Sequence, residues 1–167
     1  REELTWFYQD GCNWLFPEAF DEFRKAIPAS ERADMIAAYY RRLTHPDREV
    51  QLAAARAWSV WEGSTLSLVQ DPERIKLFGA DNYAIAFARI ECHYFVNRGF
   101  FRSEDQLLAD VGVIRHLPCT FVHGRYDVVT PVKNASFEKA KRMLGYEAQV
   151  PLRDGIERTI AWQRAAI

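Results

Sequence analysis

Residues 48–63, REVQLAAARAWSVWEG, form the stretch that decides the fold class. Alanines fill its middle, and alanine has the highest intrinsic helix propensity. Asp47 stands immediately before the stretch, where its side chain can accept a hydrogen bond from a free backbone N–H of the first turn. The sequence therefore predicts a helix from Arg48 to Glu62, which Gly63 ends.

Most of the chain around this stretch has the same helical character. The other helices predicted before residue 113 cover 2–9, 17–26, 31–43, 72–78, 82–97 and 104–111. Ser30 is the predicted N-cap of the third of these seven helices, and Asp81 is that of the long sixth one. None of the segments alternates apolar and polar residues with period two, so helices are favoured over strands.

The pattern changes near residue 117. Residues 117–124, LPCTFVHG, are a short apolar run with β-branched content, which predicts a buried strand. Two further helices are predicted at 132–144 and 151–166. Because one strand cannot satisfy its own backbone, either its sheet neighbours lie outside the chain or other strands escape sequence analysis. We expect a mostly α fold with three parts, namely 1–112, 113–134 and 135–167.

The composition excludes several classes of protein. The chain has 167 residues, 49% of them apolar and 27% charged, with a formal net charge of -1. This is a globular composition without the basic surface typical of nucleic-acid or anionic-membrane binding. No apolar run approaches the roughly 18 residues that a membrane span needs, and residues 1–4 do not resemble a signal peptide.

The three cysteines, Cys12, Cys92 and Cys119, are far apart and form no CxxC motif. We therefore expect no disulfide framework, no zinc site and a location in the reducing cytoplasm. The Rossmann glycine motif and the Walker A motif are both absent from the sequence, so we expect no nucleotide cofactor.

Two acidic residues stand out because aromatic residues surround them. Glu62 follows Trp58 and Trp61 at helical spacing, and Glu91 precedes Tyr94 and Phe95 at the same spacing. A carboxylate on an aromatic face is costly to desolvate unless it meets a cation. The two carboxylates could hold an ammonium group between them; the alternative is that each one pairs with a nearby arginine or caps a backbone group.

A third acidic residue, Asp127, follows the predicted strand in the loop HGRYD, residues 123–127. Open α/β sheets place functional groups just beyond the carboxyl ends of their strands, and an acid there could orient a catalytic histidine. The alternative is an Asx-turn acid that only shapes the loop. We interpret His45, His93 and His116 as structural or surface residues. The sequence contains no G-x-S-x-G nucleophile motif.

Several stretches together resemble proline iminopeptidases, which are α/β-hydrolases that remove an N-terminal proline from peptides. The matching stretches are WFYQDG at 6–11, AYYRRL at 38–43, AARAW at 54–58, WEG at 61–63, AFARIECHYF at 86–95 and HGRYDVV at 123–129. They follow the family's order and span residues 1–134, about four fifths of the chain.

The resemblance implies a role for each of these parts. Residues 1–112 would be the helical cap that covers the active site, and the strand and acid loop would lie within 113–134. Glu62 and Glu91 match the cap carboxylates that bind the free α-amino group of a peptide or proline-amide substrate. Asp127 matches the acid of the Ser-His-Asp triad.

The chain also departs from the family pattern. The family's nucleophilic serine lies upstream of this segment, and no histidine follows His123. Thr130 stands where family members often have cysteine. We therefore expect the chain by itself not to hydrolyse peptides by the triad mechanism.

The tail at 135–167 resembles a different family. Its stretches KAKRMLGYE at 139–147, PL at 151–152 and GIERTI at 155–160 are similar to the C-terminal segment of NAD-dependent nucleotide-sugar epimerases and dehydratases. That segment carries no catalytic residue, and the alternative is an ordinary helix stop followed by an amphipathic helix. A foreign tail would mean a fusion, a recombined sequence or an assembly error.

Two other functions are compatible with the sequence. The chain could be a non-catalytic helical module that binds amines or peptide N-termini in the aromatic and acidic pocket. It could also be an interaction module that pairs with another chain through the underside of the cap. The sequence does not predict an oligomeric state.

Overall fold

The computed structural model of the chain describes residues 2–114, 116, 117, 123–131, 153, 154, 157, 158, 161 and 164. The α-helices are α1 Glu2–Tyr8, α2 Pro17–Lys25, α3 Met35–Leu43, α4 Arg48–Thr65, α5 Pro72–Phe78, α6 Asp81–Val96 and α7 Gln106–Asp110. Short 3-10 turns cover Cys12–Trp14, Ala29–Glu31, Arg98–Phe100 and Val111–Ile114. The expected mostly α fold, a helical fragment of an α/β-hydrolase, is confirmed.

Several predictions fall on residues outside this described part. The predicted strand at 117–124 and the helix at 132–144 lie largely or wholly there. In the tail, all six described residues are helical. The division of the chain at residues 112 and 134 stays a prediction, as does the cytoplasmic location. No helix among the described residues is long and apolar enough to cross a membrane.

The structure corrects two of the predicted helix starts. The third helix begins at Met35, because Asp34 rather than Ser30 has the extended backbone of an N-cap and accepts a 3.0 Å hydrogen bond from the Ala37 N–H. Asp81 is the first residue of α6 and not its cap. Its carboxylate instead forms a 2.6 Å ion pair with Arg56 on α4, a contact between helices that local sequence does not show.

The predicted end of α4 is also wrong, because the helix continues through Gly63 to Thr65. Gly63 lies where α5 approaches α4, and a Cβ atom there would stand 2.9 Å from Cγ of Phe78. The Thr65 hydroxyl donates to the Glu62 carbonyl at 2.9 Å, which satisfies one of the last free acceptors of the helix. Glycine is therefore needed for close packing between helices and does not end the helix.

The core is built around α4, which packs against α2, α3, α5 and α6. Trp58 and Trp61 project from α4 and are fully buried. Tyr39 of α3 stacks on Phe23 of α2 with ring centroids 4.5 Å apart, and its hydroxyl donates to the Phe23 carbonyl at 2.6 Å. Burial of each such ring stabilises the fold by about 1.5–3 kcal/mol.

Two cysteines complete this core. Cys12 and Cys92 are both fully buried and free. Burial raises the pKa of each thiol to about 12, so both are neutral at physiological pH. They act as small apolar core residues.

Replacement of Gly63 by valine tests the close approach of α4 and α5. We expect Gly63→Val to lower the free energy of unfolding by about 2 kcal/mol, because overpacking a tight contact costs about 1–3 kcal/mol. Urea unfolding of the 167-residue chain measures the change. Gly112→Val is the matched control, since no atom lies within 4 Å of a Cβ placed there. Equal effects of the two substitutions would contradict the packing explanation.

Candidate functional site

The first candidate residue, Glu62, lies near the C-terminal end of α4 within the aromatic core. The predicted shared face is confirmed, since Trp58 and Trp61 are fully buried and Glu62 is only 6% exposed. A carboxylate at this depth requires a strong hydrogen-bond donor or a cation. The donor is the hydroxyl of Tyr8, which contacts Oε1 of Glu62 from the end of α1.

The second candidate, Glu91, lies on α6 and is partly buried. Its Oε2 atom accepts a 2.8 Å hydrogen bond from the indole Nε1–H of Trp58. Phe95, one turn later, packs against the core as predicted. Tyr94 does not, because it is 53% exposed and contacts Phe100 edge-on. The buried face of α6 centres on Cys92 and its neighbours one and two turns earlier, which leaves Tyr94 on another side of the helix.

These contacts join Tyr8, Trp58, Glu62 and Glu91 into one group, the carboxylate–aromatic cluster. The Tyr8 ring stacks on Trp58 with centroids 4.5 Å apart and an interplanar angle of 22°. Phe95 lines the same cluster, with its ring 5.4 Å from that of Tyr8. Three helices, α1, α4 and α6, therefore hold two carboxylates beside aromatic faces.

Electrostatics leave this cluster short of positive charge. Burial, together with the negative charge of Glu91, raises the pKa of Glu62 to about 8, although the hydrogen bond from Tyr8 opposes the shift. Burial also raises the pKa of Glu91, and the donors Trp58 and Tyr8 oppose that shift. Among the described residues, no lysine, arginine or histidine forms an ion pair with either carboxylate. The pair is thus suited to bind a proton or an added cation.

The partners found here differ from the arginine or backbone partners of the alternative interpretation. Neither carboxylate relies on an arginine in the described structure, and the donors are the side chains of Tyr8 and Trp58. Sequence analysis treats Tyr8 only as an apolar residue of the first helix and misses its part in the site. The available signal is the hydroxyl itself, since a tyrosine in a buried position needs a hydrogen-bond partner.

The third candidate, Asp127, shapes its own loop. Its Oδ1 atom accepts hydrogen bonds from the backbone N–H of Val129 at 3.2 Å and of Thr130 at 2.9 Å, and its Oδ2 atom accepts one from the Thr130 hydroxyl at 3.0 Å. These are the bonds of an Asx-type turn. The Asp127 side chain remains 34% exposed, so the turn leaves part of the carboxylate accessible.

His123 stands beside this carboxylate without pairing closely with it. Its Nε2 atom is 3.8 Å from Oδ2 of Asp127 and 2.8 Å from the Thr130 carbonyl oxygen. The nearer partner is the carbonyl, to which only a protonated nitrogen can donate. His123 therefore helps to hold the loop.

Helix α1 connects the acid loop to the carboxylate–aromatic cluster. The Trp6 indole N–H donates to the Val128 carbonyl at 2.8 Å, and Tyr8, two residues later, contacts Glu62. A cavity of about 580 Å³ lies between residues 65–68, at and after the end of α4, and residues 124–130. Asp127 lines this cavity, so the loop borders a space large enough for a small ligand.

The remaining histidines do not contribute to a metal site in the described part of the chain. His45, His93 and His116 are exposed there. Across the described ranges, no three histidine, cysteine, aspartate or glutamate side chains lie together as metal ligands would.

Comparison with curated proteins identifies relatives of part of the chain. No profile of a known protein family matches it. The "Probable proline iminopeptidase" of Leptolyngbya boryana is 56% identical over 135 residues, which are 81% of this chain and 42% of that protein. The "Proline iminopeptidase" of Xylella fastidiosa (strain Temecula1 / ATCC 700964) is 55% identical over 135 residues, with 81% and 43% covered. That of Arabidopsis thaliana is 46% identical over 136 residues, with 81% and 36% covered.

These identities confirm the resemblance that the sequence motifs indicate. The chain spans less than half the length of the curated relatives it matches. The resemblance of the tail to nucleotide-sugar epimerases stays a prediction, since most tail residues lie outside the described part of the structure.

The raised pKa of Glu62 predicts that the folded chain loses stability as the pH rises. The neutral acid is favoured in the folded state, so its contribution is full below the ordinary pKa of 4.5 and is lost as the pH rises through about 8. We expect the free energy of unfolding to fall between pH 5 and pH 9, by at most about 1.4 kcal/mol per pH unit from this group. Glu62→Gln, which is neutral throughout, flattens the fall.

Urea unfolding at pH 5, 7 and 9 measures this effect. Glu18→Gln is the control, because Glu18 is exposed on α2 and should leave the slope unchanged. A steep slope that persists in Glu62→Gln would show that Glu62 is ionised in the folded chain at all these pH values.

Proposed function

We propose that this chain, which is homologous to a segment of the proline iminopeptidases, is the part of such an enzyme that binds the substrate's N-terminus and supplies the triad acid. The complete enzyme would be a serine hydrolase that releases an N-terminal proline from peptides. The observation that carries the proposal is the pair of buried carboxylates, Glu62 and Glu91, with no described cation beside them.

In this proposal the substrate's α-amino group supplies the missing positive charge. A protonated N-terminal proline carries two N–H donors on one nitrogen, which matches one donor to Glu62 and one to Glu91. Charge-assisted hydrogen bonds of this kind are roughly twice as strong as neutral ones. A blocked or internal nitrogen has no charge and leaves the carboxylates without a cation, so it is rejected.

The aromatic residues of the cluster would bind the pyrrolidine ring. Tyr8, Trp58 and Phe95 present stacked and tilted ring faces beside the carboxylates. A flat saturated ring next to a cationic nitrogen gains both apolar contact and attraction to the aromatic faces. This combination favours proline over a residue whose primary amine lacks the ring.

Asp127 would serve as the triad acid in the complete enzyme. A triad acid accepts the N–H of the catalytic histidine, holds its ring and stabilises the imidazolium that forms when the serine attacks. The backbone N–H groups of Val129 and Thr130 fix the Asp127 carboxylate, so its exposed part has a defined direction. The serine and that histidine would come from parts of the enzyme beyond this chain.

Prolinamide binding tests the amine-binding role of the two carboxylates. We expect the 167-residue chain to bind prolinamide, and Glu62→Gln to weaken binding at least about tenfold, because a hydrogen bond to a charged group contributes about 1.5–3 kcal/mol. Isothermal titration calorimetry measures both dissociation constants. N-acetylprolinamide, which has no ammonium group, should not bind.

Two results would contradict this prediction. One is equal affinity for prolinamide and N-acetylprolinamide, since the carboxylates would then recognise nothing specific to the amine. The other is an equal loss of affinity in the exposed-residue control Glu18→Gln, since the loss would then reflect net charge alone.

A second prediction concerns the proton that Glu62 holds in the free chain. Because its pKa is about 8, this carboxyl is mostly neutral at pH 7, and an incoming ammonium lowers the pKa. We expect binding to release close to one proton at pH 7. Affinity should therefore rise between pH 6 and pH 8, by at most about tenfold per pH unit, until an α-amino group with a pKa of about 8 loses its own charge.

Calorimetry of prolinamide binding at pH 7 in two buffers with different ionisation enthalpies counts the released protons. Glu62→Gln has no proton to release at this position, so any residual binding should show almost no buffer dependence. Absence of proton release by the unsubstituted chain would contradict a neutral Glu62 while leaving amine binding itself intact.

A further inference from the structure

A second cavity, of about 550 Å³, lies outside the carboxylate–aromatic cluster. It is an open groove where the C-terminal end of α3 and the N-terminal end of α4 meet the middle of α6. The side chains that define its chemistry are Tyr40, Arg48, Ile85, Arg89, Ile90 and His93. The groove therefore combines two guanidinium groups with two isoleucines.

The two arginines of the groove have no carboxylate partner in the described part of the chain. Arg48 donates only a 3.2 Å hydrogen bond to the Gln51 side chain, and Arg89 makes no described hydrogen bond or ion pair. No described aspartate or glutamate lines the groove. By contrast, Arg41 and Arg42, on the preceding helix, both pair with Glu31. The groove thus retains unneutralised positive charge.

His93 adds a further hydrogen-bond donor at this groove. The Asn97 Nδ2 atom lies 2.8 Å from the His93 carbonyl oxygen, which identifies it as the amide nitrogen and therefore a donor. The same atom lies 3.3 Å from Nδ1 of His93, and the Tyr40 hydroxyl lies 3.2 Å from it. Since Nδ1 accepts, the proton of the neutral imidazole is on Nε2.

The apolar part of the groove lies beside these donors. Ile90 is 62% exposed, and Ile85 is partly buried one helical turn earlier on α6. An exposed isoleucine by itself needs no explanation, but here it adjoins a cavity with unpaired cations. A ligand with a negative end and an aliphatic end would satisfy both parts.

We propose that this groove is a second binding site, which takes a small organic carboxylate with an aliphatic chain. The carboxylate accepts hydrogen bonds from Arg48 and Arg89, whose planar guanidinium groups match its two oxygens. The chain covers Ile85 and Ile90. This site is separate from the amine-binding cluster and does not depend on the peptidase function.

Binding of three probes to the 167-residue chain tests this proposal. Hexanoate has both the charge and the chain, hexanol has only the chain, and inorganic phosphate has only the charge. We expect hexanoate to bind about tenfold more tightly than either of the others. Two-dimensional NMR of the labelled chain measures the affinities and should show the largest shifts at Ala86, Arg89 and His93.

Substitutions in the groove separate its two parts. Arg89→Gln should weaken hexanoate binding about fivefold, as expected for one partly exposed ion pair, and leave hexanol binding unchanged. Ile90→Ser should weaken hexanoate and hexanol equally. Arg24→Gln is the matched control, because Arg24 is an exposed arginine on α2 that pairs with Asp21. All three positions are exposed, and far-UV circular dichroism confirms folding of each variant.

Three outcomes would overturn the proposal. Phosphate binding as tight as that of hexanoate would show a site for oxyanions without an aliphatic part. Unchanged hexanoate affinity in Arg89→Gln would show that the cations do not recognise the carboxylate. Absence of NMR shifts at the groove residues with all three probes would show that the groove is not a binding site.

Discussion

The hydrogen bond from the Tyr8 hydroxyl to the Glu62 carboxylate is the interaction on which the rest of the site depends. It joins the short helix α1 to the long central helix α4 across 54 residues of sequence. Without it, a carboxylate that is 6% exposed would have no side-chain donor, and burial of an unpaired charge costs several kcal/mol. The bond therefore fixes α1 against the core, and α1 in turn places Trp6 against the acid loop.

The aromatic residues serve both packing and polar roles here. Trp58 fills the core, stacks on Tyr8 and donates its indole N–H to Glu91. Trp61, one turn later on α4, is equally buried but differs in its polar atom. Its indole nitrogen is the one buried side-chain nitrogen or oxygen without a hydrogen-bond partner in the described structure. Trp61 is thus held by ring contacts with Phe7 and Phe20 alone, whereas Trp58 orients a carboxylate.

Sequence analysis predicts the type of nearly every described helix because helix formation here is largely local. Asp47 and Asp71 cap α4 and α5 as their positions before the helices indicate, and each accepts a backbone hydrogen bond. The errors at Gly63, Asp81 and Tyr94 share a physical cause. Each depends on a neighbour distant in sequence or on the rotation of a helix, which propensity and spacing do not determine.

The candidate site divides in the same way. Spacing along α4 places Glu62 with the two tryptophans, since both belong to one helix face. It cannot show that the donor to Glu62 is Tyr8 or that Trp58 reaches across to Glu91. The residues of α1, α4 and α6 meet only through tertiary packing, and the hydroxyl of Tyr8 is the local sign that a polar partner is needed.

The position of Glu62 and Glu91 is a poor arrangement for stability and a good one for recognition. Two carboxyl groups that share a desolvated site raise each other's proton affinity and favour the neutral form. Leucine or glutamine at these positions would remove that cost, as replacements of buried charges often do. The retained carboxylates therefore act as an unfilled demand for a cation, which an ammonium group meets and a neutral amide does not. Selectivity for a free N-terminus follows from this cost in the unliganded state, because the energy that the pair withholds from folding becomes available only when the correct charge arrives.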